Sequence, residues 1–322
     1  MKAPIKRYPL HQCALYKCSS KKKLELRLKL NAGDASLLEN MIQYHKFSIP
    51  KKDSTKLRDI TAPADDLKKV QRRILRLLQR IERPQWLISG ERGKSYVDNG
   101  RAHINSMYLL AADIKSFYDN CRRDYVYRFF TERLKTAPDI AKLLTDIITY
   151  KGGIPTGCPT SQIIAYYAYE RMFSEIAQVA ERHGCIFTLY VDDMTFSSQT
   201  PFDPKRLKRE IEMILLRYGH RLKDSKVKYY ARDDAKPVTG TIITKEHRLA
   251  TPNQLQKRIV TEFQALKEQM NGQALTPEEK SRYATLQGRI YAARNIEPCI
   301  FPEIHRQVTA VKHSPENGKG VE

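Results

Sequence analysis

Ile186-Phe-Thr-Leu-Tyr-Val-Asp-Asp-Met-Thr-Phe-Ser197 is the stretch on which the reading turns. Apolar residues flank the Asp192-Asp193 pair on both sides, the pattern of two short strands joined by a tight turn. Adjacent carboxylates at the tip of an apolar hairpin repel each other, and burial makes ionising both more costly. A bound divalent cation removes that cost, and oxygen donors suit Mg²⁺. Taken alone, four residues read equally as a solvated acidic turn, so a third carboxylate has to decide.

Met107-Tyr-Leu-Leu-Ala-Ala-Asp-Ile-Lys-Ser-Phe-Tyr118 supplies one. An apolar, strand-like run delivers Asp113 at its end and passes into a helix-compatible segment, which sets an acid on rigid structure. Asp113 by itself could equally cap a helix. Beside the 186–197 hairpin, however, Asp113 and Asp192 could hold two Mg²⁺ ions roughly 3.5–4 Å apart. Such a pair activates a 3′-hydroxyl and stabilises a leaving pyrophosphate. Asp193 is the third acid, as a metal ligand or as a supporting group.

Between these acids lies Gly153-Ile-Pro-Thr-Gly-Cys-Pro-Thr-Ser161, a turn-rich loop leading into an amphipathic segment over 161–183. In this order the three elements resemble the palm of reverse transcriptases. Two more narrow the resemblance to bacterial retron reverse transcriptases. Asn99-Gly-Arg-Ala-His103 is similar to their Asn-Ala-x-x-His element, and Val238-Thr-Gly240 matches their Val-Thr-Gly. The likeness runs roughly from residue 50 to 245. It departs at Gly100, where the family has Ala, at Thr156, usually Gln, and at Gln162, often Pro.

The resemblance implies an α+β right-hand fold: fingers, a palm whose antiparallel sheet carries the Tyr-Val-Asp-Asp hairpin, and a helical thumb. The boundaries expected are a basic extension over 1–45, fingers and palm over 46–245, a thumb over 246–313 that grips RNA or duplex, and a disordered tail over 314–322. It implies an RNA-directed DNA polymerase using two Mg²⁺ ions, held by Asp113, Asp192 and Asp193, and deoxynucleoside triphosphates. Lys226, within Leu222-Lys-Asp-Ser-Lys-Val-Lys228, would protonate the leaving pyrophosphate, with Lys223 and Lys228 as alternatives. Lys51 and Arg58 would clamp the triphosphate, Arg58 through its planar fork. Ile114, Tyr118, Gly157 and Tyr190 would line the nucleotide site, with Tyr118 excluding a ribose 2′-hydroxyl. Asn99, His103, Val238, Thr239 and Gly240 would recognise RNA, and Lys257 and Arg258 would meet its phosphates. A structural histidine and a strand end are the competing readings of His103 and of 238–240. The partners implied are a cognate structured noncoding RNA, its branched single-stranded DNA product and a separately encoded effector protein, in anti-phage defence. A group II intron-like or other bacterial reverse transcriptase and a non-catalytic RNA-binding scaffold are the alternatives.

Composition agrees independently. The 322 residues include 57 Lys+Arg against 36 Asp+Glu, a formal charge of +21 that suits a polyanion. Residues 1–30 hold nine basic residues and one acid, and 46–80 hold eleven against four. Six cysteines without metal-ligand spacing exclude a zinc module, and the chain is expected to be cytoplasmic with reduced thiols. The 3.6-residue period predicts helices over 65–81 and 203–219, the second capped by Asp203. Thr251-Pro252 and Thr276-Pro277 should open two more.

Overall fold

The computed structural model describes residues 6–50, 57–267 and 276–311, with Arg58 and Val311 given by their backbone alone. Ser20 caps α1 (Lys21–Leu28) by accepting from Lys23 N, and α2 (Asp34–Leu37) follows. β1 (Tyr44–Pro50) and β2 (Leu57–Pro63) pair antiparallel into a projecting ribbon, with β1 exposed along almost its whole length. In α3 (Asp65–Leu78) the predicted stripe of Leu67, Val70, Ile74, Leu77 and Leu78 is buried, each side chain contributing about 1.5–3 kcal/mol. A Ser95–Asp98 capping box opens α4 (Tyr96–Ala102). β3 (Tyr108–Asp113), α5 (Phe117–Asn120), α6 (Arg123–Arg128) and α7 (Pro138–Ile148) come next.

The amphipathic segment over 161–183 forms two helices, α8 (Ser161–Ala168) and α9 (Glu170–Arg182). Tyr169 leaves helical geometry between them and turns inward. Its hydroxyl accepts from Arg122 N and donates to Asn120 O, and its ring stacks on Tyr125. β4 (Ile186–Tyr190) and β5 (Asp193–Ser198) form the predicted hairpin. α10 (Pro204–Arg217) starts at Asp203, whose carboxylate accepts from Lys205 N and Arg206 N. β6 (Lys228–Tyr230) completes a four-stranded antiparallel sheet ordered β4-β5-β3-β6.

β7 (Lys236–Val238), β8 (Thr241–Ile243) and β9 (Leu249–Ala250) make a small second sheet, followed by α11 (Asn253–Lys267), α12 (Pro277–Ile296) and α13 (Pro302–Val311). Thr276 and Glu279 form the capping box of α12. Thr251 does not cap α11 as expected. Its hydroxyl donates to Ala293 O and its N–H to Glu297, so it ties the approach to α11 onto α12.

β3 is apolar throughout because both its faces are covered. Leu110 and Ala112 face the main core, whereas Leu109 packs with Val238 and Ile243 on the other side. A separate core joins Ile259, Phe263 and Leu266 of α11 to Leu286, Ile290 and Ala293 of α12. The described part of the basic extension expected over 1–45 packs into the fold. Cys13, Leu15, Cys18, Leu24, Leu28 and Leu38 belong to the main core. No helix among the described residues is long and apolar enough to cross a membrane.

Candidate active site

Strand register brings the distant acids together. β3 lies beside β5 with Asp113 opposite Asp193, the last pair of that ladder. In the β4–β5 hairpin Tyr190 faces Asp193, which leaves Val191 and Asp192 at the tip. Ile114 N donates to Asp192 O at 3.2 Å, and Lys223 N to Asp113 O at 2.8 Å. The tip is strained, because Val191 is β-branched and adopts φ +63°. Such a conformation costs on the order of 1–3 kcal/mol and persists only where its surroundings hold it. Val191 N donates to the buried Ser89 hydroxyl at 2.8 Å, and Trp86–Ser89 runs alongside β4 through Leu189 N→Trp86 O and Ile88 N→Leu189 O.

The acids do not titrate independently. Burial, the neighbouring Asp192 charge and a hydrogen bond with Asp113 push Asp193 up to about 7, against some relief from Lys226. Lys226 Nζ lies 2.6 Å from Asp113 Oδ1. Burial works against its charged form, but Asp113, Asp193 and Asp192 together hold the ammonium above its ordinary pKa. A positive group thus already stands where three carboxylates converge. Among the described residues no three acids, histidines or cysteines are drawn into a closed ligand cage. The donor set nevertheless fits a hard divalent cation: oxygen ligands, excess negative charge, and one carboxyl, Asp193, whose ionisation burial and its neighbours' charges oppose.

The reverse transcriptase (RNA-dependent DNA polymerase) family model matches residues 49–267. The chain belongs to this family. It is 27% identical over 206 residues to the retron Ec86 reverse transcriptase of Escherichia coli, covering 63% of this chain and 64% of that one. It is 23% identical over 293 residues to the retron Ec83 reverse transcriptase of Escherichia coli, covering 85% and 91%. To the retron Se72 reverse transcriptase of Salmonella heidelberg it is 23% identical over 174 residues, covering 54% and 46%. The chain therefore spans less than two thirds of the Ec86 and Se72 enzymes. A telomerase structure from Candida albicans superposes with a TM-score of 0.48 at 13% identity, over 81% of this chain and 56% of its own, and adds nothing to the assignment.

The remaining residues singled out from the sequence fall into two groups. Tyr118 is half-buried beside the acids, where burial and the Asp192 charge raise its phenol well above the ordinary value. Tyr190 is half-buried next to Tyr96. Thr239 and Lys226 line a cleft of about 280 Å³ that opens on Asp113 and Asp193. Lys257 is exposed on α11 and Arg258 partly buried there. Lys51 lies outside the described residues, and Arg58 is located only as the backbone partner of Ile49.

The others are placed differently from expectation. Ile114 is buried and spends its N–H on Asp192, so it serves the hairpin. Gly157 permits a close approach, but to β2: its N–H donates to Thr61 O at 3.1 Å, and a Cβ would lie 2.6 Å from that oxygen. His103 is fully buried, with Nδ1 2.6 Å from Ser197 Oγ and Nε2 2.7 Å from Thr188 Oγ1. Burial alone lowers its pKa to about 3. A neutral histidine bridging β4 and β5 cannot touch RNA. Asn99 and Val238 are buried too, and Asn99 Nδ2 donates to Thr239 Oγ1 at 2.8 Å. The Asn-x-x-x-His and Val-Thr-Gly elements thus contact each other. Gly100 accommodates this docking, since a Cβ there would collide with Thr241 Oγ1. Ser89, which holds the hairpin tip, is the residue of this site that sequence reasoning missed, because a lone Ser in a loop carries no local signal.

Proposed function

We propose that the chain is an RNA-directed DNA polymerase of retron type. It would copy a cognate structured noncoding RNA into branched multicopy single-stranded DNA, in an anti-phage system with a separate effector protein. In this reading β1–β2 and α3 belong to the fingers, the four-stranded sheet is the palm, and α11–α13 form the thumb. The observation that carries it is the register that sets Asp113 against Asp193 with Lys226 on the shared face. The retron names of the relatives support the template class.

Asp113, Asp192 and Asp193 would hold two Mg²⁺ ions, which lower the pKa of a primer hydroxyl and neutralise triphosphate oxygens. Burial and its acidic neighbours favour the protonated form of Asp193, and bound cations would favour its carboxylate. Lys226 is protonated and half exposed, so it can turn from Asp113 toward a leaving pyrophosphate and donate its proton there. Tyr118 presents a rigid ring beside Asp192, backed by Phe117 at 5.5 Å between centroids, and would exclude a ribose 2′-hydroxyl sterically.

The test is sequencing of nucleic acid copurifying with the protein expressed from its native locus, beside an Asp192→Asn version. Single-stranded DNA joined through a 2′–5′ branch to one small RNA, present only with Asp192 intact, is the expected result. RNA alone in both samples would sink the polymerase reading. Linear complementary DNA would keep the polymerase and reject the retron assignment.

A further inference from the structure

α1 and α3 form a cationic surface that the catalytic reading does not use. Arg73 Nε donates to Arg27 O at 2.9 Å and joins the two helices. Lys21, Lys22, Lys23, Arg27 and Lys29 are exposed on and beside α1, and Arg72, Arg76 and Arg80 on and after α3. The acids nearby do not neutralise them. Glu25, the one acid in α1, is buried and accepts from Gly33 N and Ala35 N at 3.0 and 3.1 Å. None of these eight cations has a carboxylate partner among the described residues. Lys21 and Lys23 donate instead to the hydroxyls of Ser36 and Ser19.

The placement opposes local stability. Lys21, Lys22 and Lys23 fill the first turn of α1, the positive end of the helix dipole, with no acid there. Arg72 and Arg76 stand four residues apart on α3, the spacing at which like charges repel along a helix face. Where local rules are broken this consistently, the reason is a site rather than the fold. Neither helix carries an aromatic residue that could stack an unpaired base, and the Tyr8 ring beside them is already covered by the Arg80 guanidinium at 4.9 Å. The recognition offered is therefore to phosphates alone, as suits duplex RNA, whose sequence is hidden in a deep groove.

We propose that the α1–α3 surface binds the phosphate backbone of an RNA stem lying outside the catalytic cleft. This rests on the polymerase reading only for which RNA is held. The test compares the full chain with a Lys22→Gln/Arg27→Gln/Arg72→Gln/Arg76→Gln variant, using an unprimed 20-base-pair RNA hairpin between 50 and 250 mM salt. Loss of about four phosphate contacts should make the slope of log affinity against log salt shallower by about 3. Affinity at the low-salt end should fall at least tenfold. An Arg72→Lys/Arg76→Lys variant should keep the wild-type slope, and dNTP incorporation on a primer–template too short to leave the cleft should be unchanged in all three.

An unchanged slope in the quadruple variant overturns the surface and leaves the polymerase standing. Wild-type protein that fails to incorporate dNTPs overturns the polymerase and leaves the surface standing. If the substitutions instead abolish binding to phosphatidylglycerol vesicles with the RNA slope intact, the surface serves a membrane and the proposal is wrong.

Discussion

Acidification tests the placement of His103. A free imidazole titrates near 6.5, whereas burial holds this one near 3, so the unfolded chain binds the extra proton. Stability contributed by a neutral His103 is therefore complete above pH 6.5 and is lost as pH falls toward 3. At pH 5 the unfolded imidazole is almost fully charged and the folded one is not. Linkage then gives RT ln(1 + 10^1.5), about 2 kcal/mol, drawn from the folded state. His220, also fully buried and lowered to about 4 by burial, adds a loss of similar size over the same range. The assay is urea denaturation of wild type and His103→Gln at intervals from pH 7.5 to 4.5. Gln can replace one of the two hydroxyl contacts, so the variant should be less stable at pH 7 by about 1–3 kcal/mol. Between pH 7 and 5 it should lose about 2 kcal/mol less than wild type. Equal losses in the two proteins would refute the buried neutral histidine. The same variant should bind RNA with an unaltered salt slope, since His103 is internal.

Gly100→Ala sets about 1 kcal/mol of gained helix propensity against an overpacking penalty of about 1–3 kcal/mol, because Thr241 lies in the way. Chemical denaturation should show net destabilisation, and Thr241→Ala in the same chain should recover part of it. Asn99→Ala removes the bond to Thr239 and should lower stability by about 1–2 kcal/mol while slowing DNA synthesis, because the cleft beside Asp113 includes Thr239. Synthesis at the wild-type rate would separate that docking from the active site. Gly157→Ala meets a backbone oxygen that cannot yield, so the β1–β2 ribbon must shift. Steady-state incorporation should show a KM for nucleotide raised roughly tenfold or more, worth about 1.4 kcal/mol. Tyr118→Ala should admit ribonucleotides with little change in dNTP incorporation, and unchanged discrimination would remove Tyr118 from the gate.

Much of this could be read from the sequence because it is local. The hairpin around Asp192, the strand ending in Asp113 and the helices starting at Asp203 and Thr276 each carry their period and their caps within a dozen residues. What could not be read is what needs the third dimension. The cationic 1–45 region hides an apolar subset, Leu15 and Leu24 among it, that joins the main core. Tyr169 breaks a helix whose periodicity runs straight through it, since its hydroxyl finds Arg122 N and Asn120 O. Thr251 has the sequence of a cap and the contacts of a staple to α12.

The two short elements that narrowed the family resemblance show the difference most clearly. By the family resemblance, Asn99–His103 and Val238–Gly240 are two RNA contacts, with a structural histidine and a strand end as the competing readings. Folded, they are one unit. Asn99 bonds Thr239 across 140 positions, and the ring of Tyr96 sits by Gly240 while its hydroxyl donates to Ala292 O in α12. Immediately after Gly100, His103 locks β4 to β5. α4 thus touches the acid-bearing hairpin on one side and the small sheet and α12 on the other. The motif's physical work is therefore to join the small sheet and α12 to the sheet that carries Asp113 and Asp193, and its polar residues are buried because they bond one another across that joint.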